Sequence, residues 1–226
     1  MNNLAILRHH PIFGELPRAS IERLSSCLTL RRVRHGTTIF AKGDAGTELI
    51  AVLSGRVKIS VPSQDGREAV LNVVHEGEVF GEIALLDGRV RTADAVAITD
   101  CELMIIERRR FLPVLSEQPE VAIKLIEVLC FRLRQTSEQV EDVMFLNLKA
   151  RMAKLVLRLA DEAEGPLPRR ILVTQQEMSR MIGVSRESIN KQLRSWARAK
   201  WVRLERGGIV VLQPDALTDI VVKPHF

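Results

Sequence analysis

The chain has 226 residues, 46% hydrophobic and 27% charged, with no apolar run long enough to span a bilayer and no signal-peptide core between Met1 and Pro11. Cys27, Cys101 and Cys130 lie far apart and outside any metal-ligand spacing, which excludes a disulfide framework or a cysteine-ligated cluster and makes the cytoplasm the expected compartment. The net charge of +5 is uneven: Asn147 to Phe226 carries 15 Lys/Arg against 8 Asp/Glu, whereas Met1 to Leu146 carries 18 against 20, so the basic last third is either one nucleic-acid-binding domain or a solvated basic surface.

Between Ile12 and Leu30, the spacing of Ser20, Ile21, Leu24 and Leu28 predicts a short amphipathic helix. From Val33 to Ile106, short β-rich runs such as Leu49 to Leu53 and Val57 to Val61 alternate with turn signals. Those signals are Lys42-Gly43-Asp44, Ser54-Gly55, Gln64-Asp65-Gly66 and Glu76-Gly77-Glu78. Strands this short, repeating at about ten residues, predict an antiparallel barrel or roll rather than a parallel α/β sheet.

Pro119 to Phe145 reads as one helix without Gly or internal Pro. Ala122, Ile126, Leu129, Leu133, Thr136, Val140 and Val143 alternate spacings of four and three. That pattern fits the seam of a parallel dimer or the buried face of a monomeric helix. Thr136, followed by Ser137, places polar groups on it, which either set register or touch something. A second helix runs through Leu155, Val156 and Leu159 and ends in a loop at Glu164-Gly165-Pro166-Leu167-Pro168.

Thr174 to Ala199 carries the strongest local chemistry. Thr174-Gln175-Gln176-Glu177 is a capping box, with Val173 and Met178 at the staple positions. Gly183 suits a left-handed helix end, and two residues later Ser185 caps a second helix with Val184 and Ile189 as its staple. So short a junction predicts a helix-turn-helix. Ile189, Leu193 and Trp196 would pack inward, while Arg186, Glu187, Asn190, Lys191 and Arg194 face out, where first-turn residues reach base edges in a major groove. Strands near Trp201 to Leu204 and Ile209 to Leu212, flanking Gly207-Gly208, would form the wing. The expected class is therefore α+β: a β-roll over 1–118, a dimerisation helix and hinge over 119–146, and a winged helix-turn-helix over 147–226.

Phe80-Gly81-Glu82-Ile83-Ala84-Leu85-Leu86, followed by Arg91-Thr92-Ala93, has the logic of an anion site. Gly81 permits close backbone approach, a helical turn opening at Glu82 aims amides outward, and Arg91 and Thr92 supply donors. A plain Arg–Glu salt bridge in a barrel is the competing reading.

These two stretches resemble the Crp/Fnr family of transcription regulators. Ser185-Arg186-Glu187-Ser188-Ile189 is similar to the family's recognition-helix signature, with Arg186, Glu187 and Lys191 on its base-reading positions. Lys191 departs from the arginine of the family's best-known cyclic-AMP receptor. The Gly81 to Arg91 stretch resembles the phosphate-binding cassette of cyclic-nucleotide-binding domains. The resemblance implies that Gly81, Glu82, Ile83, Ala84, Arg91 and Thr92 bind cyclic AMP, with Glu82 on the ribose, and that Thr136 and the partner subunit's Ser137 touch the purine. Thr92 leaves cyclic GMP open as a second ligand. The candidate DNA-binding residues are Thr174, Gln175, Gln176, Ser185, Arg186, Glu187, Ser188, Asn190 and Lys191. A homodimer, palindromic double-stranded DNA and RNA polymerase are the implied partners, with no membrane.

The remaining chemistry is plain. His9, His10, His35, His75 and His225 show no metal-ligand spacing and read as satisfied surface or loop histidines. His75 lies where haem-sensing relatives place an axial ligand, but no second ligand accompanies it. No nucleophile-with-base pattern or Walker motif appears, so neither an enzyme nor a catalytic cofactor is expected.

Overall fold

The computed structural model describes residues 3–63, 68–163 and 168–222. The predicted turn at Gln64-Asp65-Gly66, residues 164–167 of the predicted loop, and His225 lie outside the described residues. In chain order, α1 (Asn3–His9) and α2 (Arg18–Ser25) precede β1 (Leu28–Val33), β2 (Thr38–Phe40), β3 (Glu48–Ser54), β4 (Val57–Pro62), β5 (Glu68–Val74) and β6 (Val79–Phe80). Then come α3 (Glu82–Asp87), β7 (Asp94–Ala97), β8 (Cys101–Glu107), α4 (Arg108–Glu117) and the long α5 (Pro119–Phe145). The chain forms two compact units, Met1–Arg132 and Leu133–Phe226, and the boundary falls within α5.

Two antiparallel sheets, β1-β8-β3-β6 and β2-β7-β4-β5, build the roll of the first unit. The apolar runs in β3 and β8 are continuous because both faces of that sheet are covered. Ile50, Val52, Leu103 and Ile105 point into the roll with Val57, Val74 and Phe80. Their neighbours Leu49, Ala51, Met104 and Ile106 pack on the opposite side against Leu24, Phe111, Val121 and Leu125 of the helices. Period-two alternation sends successive residues to two different cores. Burial of each Leu, Ile or Phe contributes about 1.5–3 kcal/mol.

The predicted amphipathic helix forms as α2, with Ser20 buried inside it and its hydroxyl 2.5 Å from side-chain oxygens of Gln118 and Glu120. Leu28 belongs to β1, and α1 was absent from the sequence pattern. α5 is buried on one face and exposed on another. Val121 and Leu125 are buried with Val128 packed beside them, and Ala122 and Leu129 are half-buried. Ile123, Ile126, Phe131, Leu133, Val140, Val143, Met144 and Phe145 are exposed, and Ile126, Leu133, Val140 and Val143 among them belong to the predicted seam, as does the exposed Thr136.

His10 lies in the loop after α1, and it is buried with one ring nitrogen unpaired rather than fully satisfied. Its Nδ1 accepts from the Ile12 amide at 3.2 Å, its ring lies 4.9 Å from Phe13, and Nε2 has no partner. Burial disfavours the imidazolium and lowers the pKa from 6.5 to about 4. The unfolded chain therefore takes up this proton near pH 6.5 while the folded chain resists until about pH 4. Stability from this residue is intact above pH 6.5 and drains by about 3 kcal/mol as pH falls to about 4. A ring titration by NMR should show a midpoint well below 6; a midpoint near 6.5 would contradict the burial argument.

The second unit continues with α6 (Leu148–Glu162), β9 (Arg170–Ile171), α7 (Gln175–Ile182), α8 (Arg186–Arg198), β10 (Val202–Glu205), β11 (Gly208–Val211) and α9 (Pro214–Val222). Asn147 caps α6 by accepting from the Ala150 amide at 3.0 Å. Met152, Val156, Met178, Ile189, Leu193, Trp196 and Leu217 share one core with the wing residues Val202, Ile209 and Val211. The wing is a three-stranded antiparallel sheet in the order β10-β11-β9. The predicted hairpin therefore gains a third strand, β9, that precedes the helix-turn-helix.

Candidate functional site

The cassette begins where β6 must turn sharply into α3. Gly81 sits there at φ +81°, a left-handed conformation that side chains other than glycine rarely adopt. A Cβ at Gly81 would lie 2.4 Å from Arg91 Nη1, so the missing side chain makes room first of all for the arginine. Arg91 Nη1 donates to the Gly81 carbonyl at 2.8 Å and Nη2 to the Glu48 carbonyl at 2.9 Å. The ring of Phe40 covers the guanidinium at 4.1 Å. The Arg91 backbone is pinned as well, donating to Asp44 O at 2.8 Å and accepting from the Gly43 amide at 2.9 Å.

Arg91 is only 3% exposed, and its Nε has no partner. Among the described residues no carboxylate forms an ion pair with it. Glu48 pairs instead with Arg31 at 3.1 Å, and Glu82 with Arg132 at 2.6 Å. Burial pulls the guanidinium below the usual arginine range, opposed at longer range by Glu48, Glu82 and Asp44. It still carries its charge at neutral pH. Taking a cation out of water costs several kcal/mol, which two carbonyls and one ring offset only in part. The expected alternative of an Arg91–Glu82 salt bridge is therefore not what the structure forms.

Glu82 is fully buried at the start of α3. Its Oε1 accepts from Arg132, whereas Oε2 has no partner. Arg132 also donates to the Val79 carbonyl, so α5 is tied to the cassette through this one side chain. The sequence reading missed Arg132. Its signal was the one-turn spacing to Thr136, which puts both on one helical face. Arg108 was missed too: its Nε donates to Leu85 O at 2.6 Å and so satisfies a carbonyl near the end of α3.

Gly81, Glu82, Ile83, Ala84, Arg91 and Thr92 all line one concavity, together with Phe40 and Arg132. Its volume is about 60 Å³. Thr136 and Ser137 are exposed on α5 and are not among these lining residues. His75 is exposed, with its amide donating to Glu78 at 2.7 Å.

In the second unit the capping chemistry forms as expected. The Glu177 amide donates to Thr174 Oγ1 at 3.1 Å, and Glu177 Oε2 accepts from the Thr174 amide at 2.7 Å. Gly183 adopts φ +75°, and the Ser188 amide donates to Ser185 Oγ at 3.2 Å. Arg186, Glu187 and Lys191 are exposed on α8, with Ser188 and Asn190 half-buried beside them. The Glu187 carboxyl lies below the usual carboxylate range, held by its own backbone amide, then by the Ser185 hydroxyl and the charge of Arg186. In the free protein this carboxylate is folded back onto the helix N-terminus.

A groove of about 360 Å³ brings Thr174, Gln175 and Gln176 at the head of α7 together with Arg186 and the wing residues Glu205, Gly207 and Gly208. Two side-chain amides, one hydroxyl, one guanidinium and one carboxylate converge there. Such a surface suits a phosphate backbone beside a groove-reading helix.

The comparisons agree with both halves. Residues 30–118 match the family model for the cyclic nucleotide-binding domain, and residues 150–220 that for the Crp-like helix-turn-helix domain. The chain is 32% identical over 216 residues to a CRP-like cAMP-activated global transcriptional regulator of Mycobacterium tuberculosis, covering 94% of this chain and 96% of that protein. It is 31% identical over 214 residues to the cyclic AMP receptor protein of Thermus thermophilus, covering 95% and 98%. Among solved structures, the c-di-GMP responsive global regulator CLP of Xanthomonas campestris superposes with a TM-score of 0.79 at 26% identity, over 87% of this chain and 99% of that one. Among the described residues no helix is long and apolar enough to cross a membrane. With a nucleotide-binding roll, a winged helix-turn-helix and relatives matched over nearly their whole length, the chain belongs to the Crp/Fnr family, a family of transcription regulators rather than enzymes.

Proposed function

We propose that this protein is a homodimeric regulator whose binding to palindromic operators is controlled by cyclic AMP, with cyclic GMP as a second candidate ligand and RNA polymerase as a further partner. The working division is 1–118 for the sensor, 119–146 for dimerisation and hinge, and 147–226 for DNA binding, all in the cytoplasm. The observation that carries the reading is Arg91: a buried guanidinium that forms no carboxylate ion pair among the described residues, lining one concavity with Gly81, Glu82, Ile83, Ala84 and Thr92. A cyclic nucleotide monophosphate supplies one such charge. Glu82 Oε2, buried and unpartnered, is an acceptor for a ribose hydroxyl.

A second reading keeps the DNA binding and changes the effector, and the likeness to a c-di-GMP responsive regulator is what favours it. Calorimetric titration of nucleotide-stripped protein with cyclic AMP, cyclic GMP and c-di-GMP separates the two. One-site binding of a cyclic mononucleotide is the expected result; binding of c-di-GMP alone, or of none, would overturn the ligand assignment.

On the DNA side, Arg186 stands in the first turn of α8, where a bidentate guanidinium meets guanine O6 and N7. Replacing Arg186 by Ala is expected to relax preference at one base pair per half-site by about 1–3 kcal/mol. A residue that meets only phosphates behaves differently, weakening all sequences alike and flattening the salt dependence. Binding of wild-type and Arg186→Ala protein to operators varied at each position distinguishes these outcomes. A uniform loss would reduce Arg186 to a phosphate contact.

A further inference from the structure

The wing contains an acidic residue where a DNA-facing surface has most reason to avoid one. Glu205 ends β10 and lines the groove shared with Arg186 and the head of α7, and it is the sole acidic residue among the groove's lining residues. Its carboxylate holds two arginines. Oε1 accepts from Arg203 Nη2 at 3.1 Å and Nε at 3.2 Å, while Oε2 pairs with Arg170 Nε at 3.1 Å. Arg203 lies two residues earlier on β10, and Arg170 comes from β9, across the intervening strand β11. Both guanidiniums remain partly exposed, so each has solvent and space to turn toward another anion.

The physical consequence follows from charge. Attraction to any duplex grows with the number of phosphates that Lys and Arg neutralise, and that attraction carries no sequence information. A carboxylate at the groove repels approaching phosphates and keeps two guanidiniums occupied. We propose that Glu205 is a specificity-determining residue of the DNA-binding face, a built-in counter-charge that restrains Arg170 and Arg203. It suppresses non-specific affinity in the basic last third, so that base contacts from α8 decide where the protein settles. This inference rests on the DNA-binding reading above.

The test compares full-length wild-type protein with Glu205→Gln, which keeps the shape and removes the charge, and with Glu205→Ser as a second variant. Binding to a random-sequence duplex and to an operator selected by the wild-type protein is measured over a range of KCl concentrations. Both variants are expected to bind the random duplex about tenfold more tightly, with the slope of log K against log salt steeper by about one to two, since each added phosphate contact contributes about 0.9. Operator affinity should rise less, so the ratio of operator to random binding falls. Adding Arg170→Gln and Arg203→Gln to Glu205→Gln should reverse the gain. Unchanged or weaker random binding, an unchanged slope, or a gain that survives loss of both arginines would overturn the proposal while leaving DNA binding in place. Failure of folded wild-type protein to bind any duplex would instead sink the DNA-binding reading, and this inference with it.

Discussion

Replacing Arg91 by Leu is expected to lower cyclic-nucleotide affinity by at least tenfold while the roll still folds. The guanidinium is positioned before any ligand arrives, by the Gly81 and Glu48 carbonyls and by the face of Phe40. A phosphate therefore meets a fixed cation and displaces no carboxylate from it. Charge-assisted hydrogen bonds contribute roughly 1.5–3 kcal/mol each, so loss of even one exceeds a factor of ten. The substitution also removes the guanidinium donor to the Gly81 and Glu48 carbonyls, and a lowered melting temperature should accompany the loss. Arg91→Lys keeps the charge as a point donor without the planar fork, so it should recover only part of the affinity. Calorimetry with a parallel melting curve reads both effects. Unaltered affinity in folded Arg91→Leu protein would remove the cassette assignment.

The double substitution Ile126→Glu and Leu133→Glu is expected to convert a dimer into monomers. Ile126 is 56% exposed and Leu133 68% exposed on the same face of α5, in step with Ile123 and Val140. Val121 and Leu125, on another face, are already buried in the first unit. Two apolar faces on one helix mean two partners, and an exposed stripe at alternating spacings of three and four fits a second copy of itself. Each unpaired charge placed in such a seam costs several kcal/mol. Leu129, a seam residue by sequence period, is half-buried and is a poorer target. Sedimentation of the variant should show a monomer with an unchanged melting profile for the roll; an unchanged dimer would place the interface elsewhere.

The seam shows where sequence period runs out. Val121, Leu125 and Val128 follow one helical stripe, and Ile126, Leu133 and Val140 another. Spacing alone does not tell which stripe the roll covers. The caps at Thr174, Gly183 and Ser185 were legible because their chemistry closes within three or four residues. The roll was legible from its strand and turn rhythm, and the cassette from its motif. Arg132 was not, because its partner Glu82 is fifty residues away in the chain, and the one-turn spacing to Thr136 marks a shared helical face but not that partner. The burial of His10 was not legible either, because a histidine's spacing in a loop does not tell whether the ring is covered. The two-residue β9 is too short for any alternation to register, and it becomes a strand only through pairing with β11.

Arg132 joins the buried carboxylate of the cassette to α5, so in the function proposed above a nucleotide at Glu82 would bear on that helix. Such coupling must be reciprocal: if nucleotide tightens DNA binding, DNA tightens nucleotide binding by the same factor. The direct measurement is the affinity of nucleotide-stripped protein for an operator selected from random DNA, with and without saturating cyclic AMP, paired with cyclic-AMP affinity with and without that operator. A matched increase in both, of at least about fivefold, is the expected result. Operator affinity indifferent to cyclic AMP, in protein that binds the nucleotide, would contradict it.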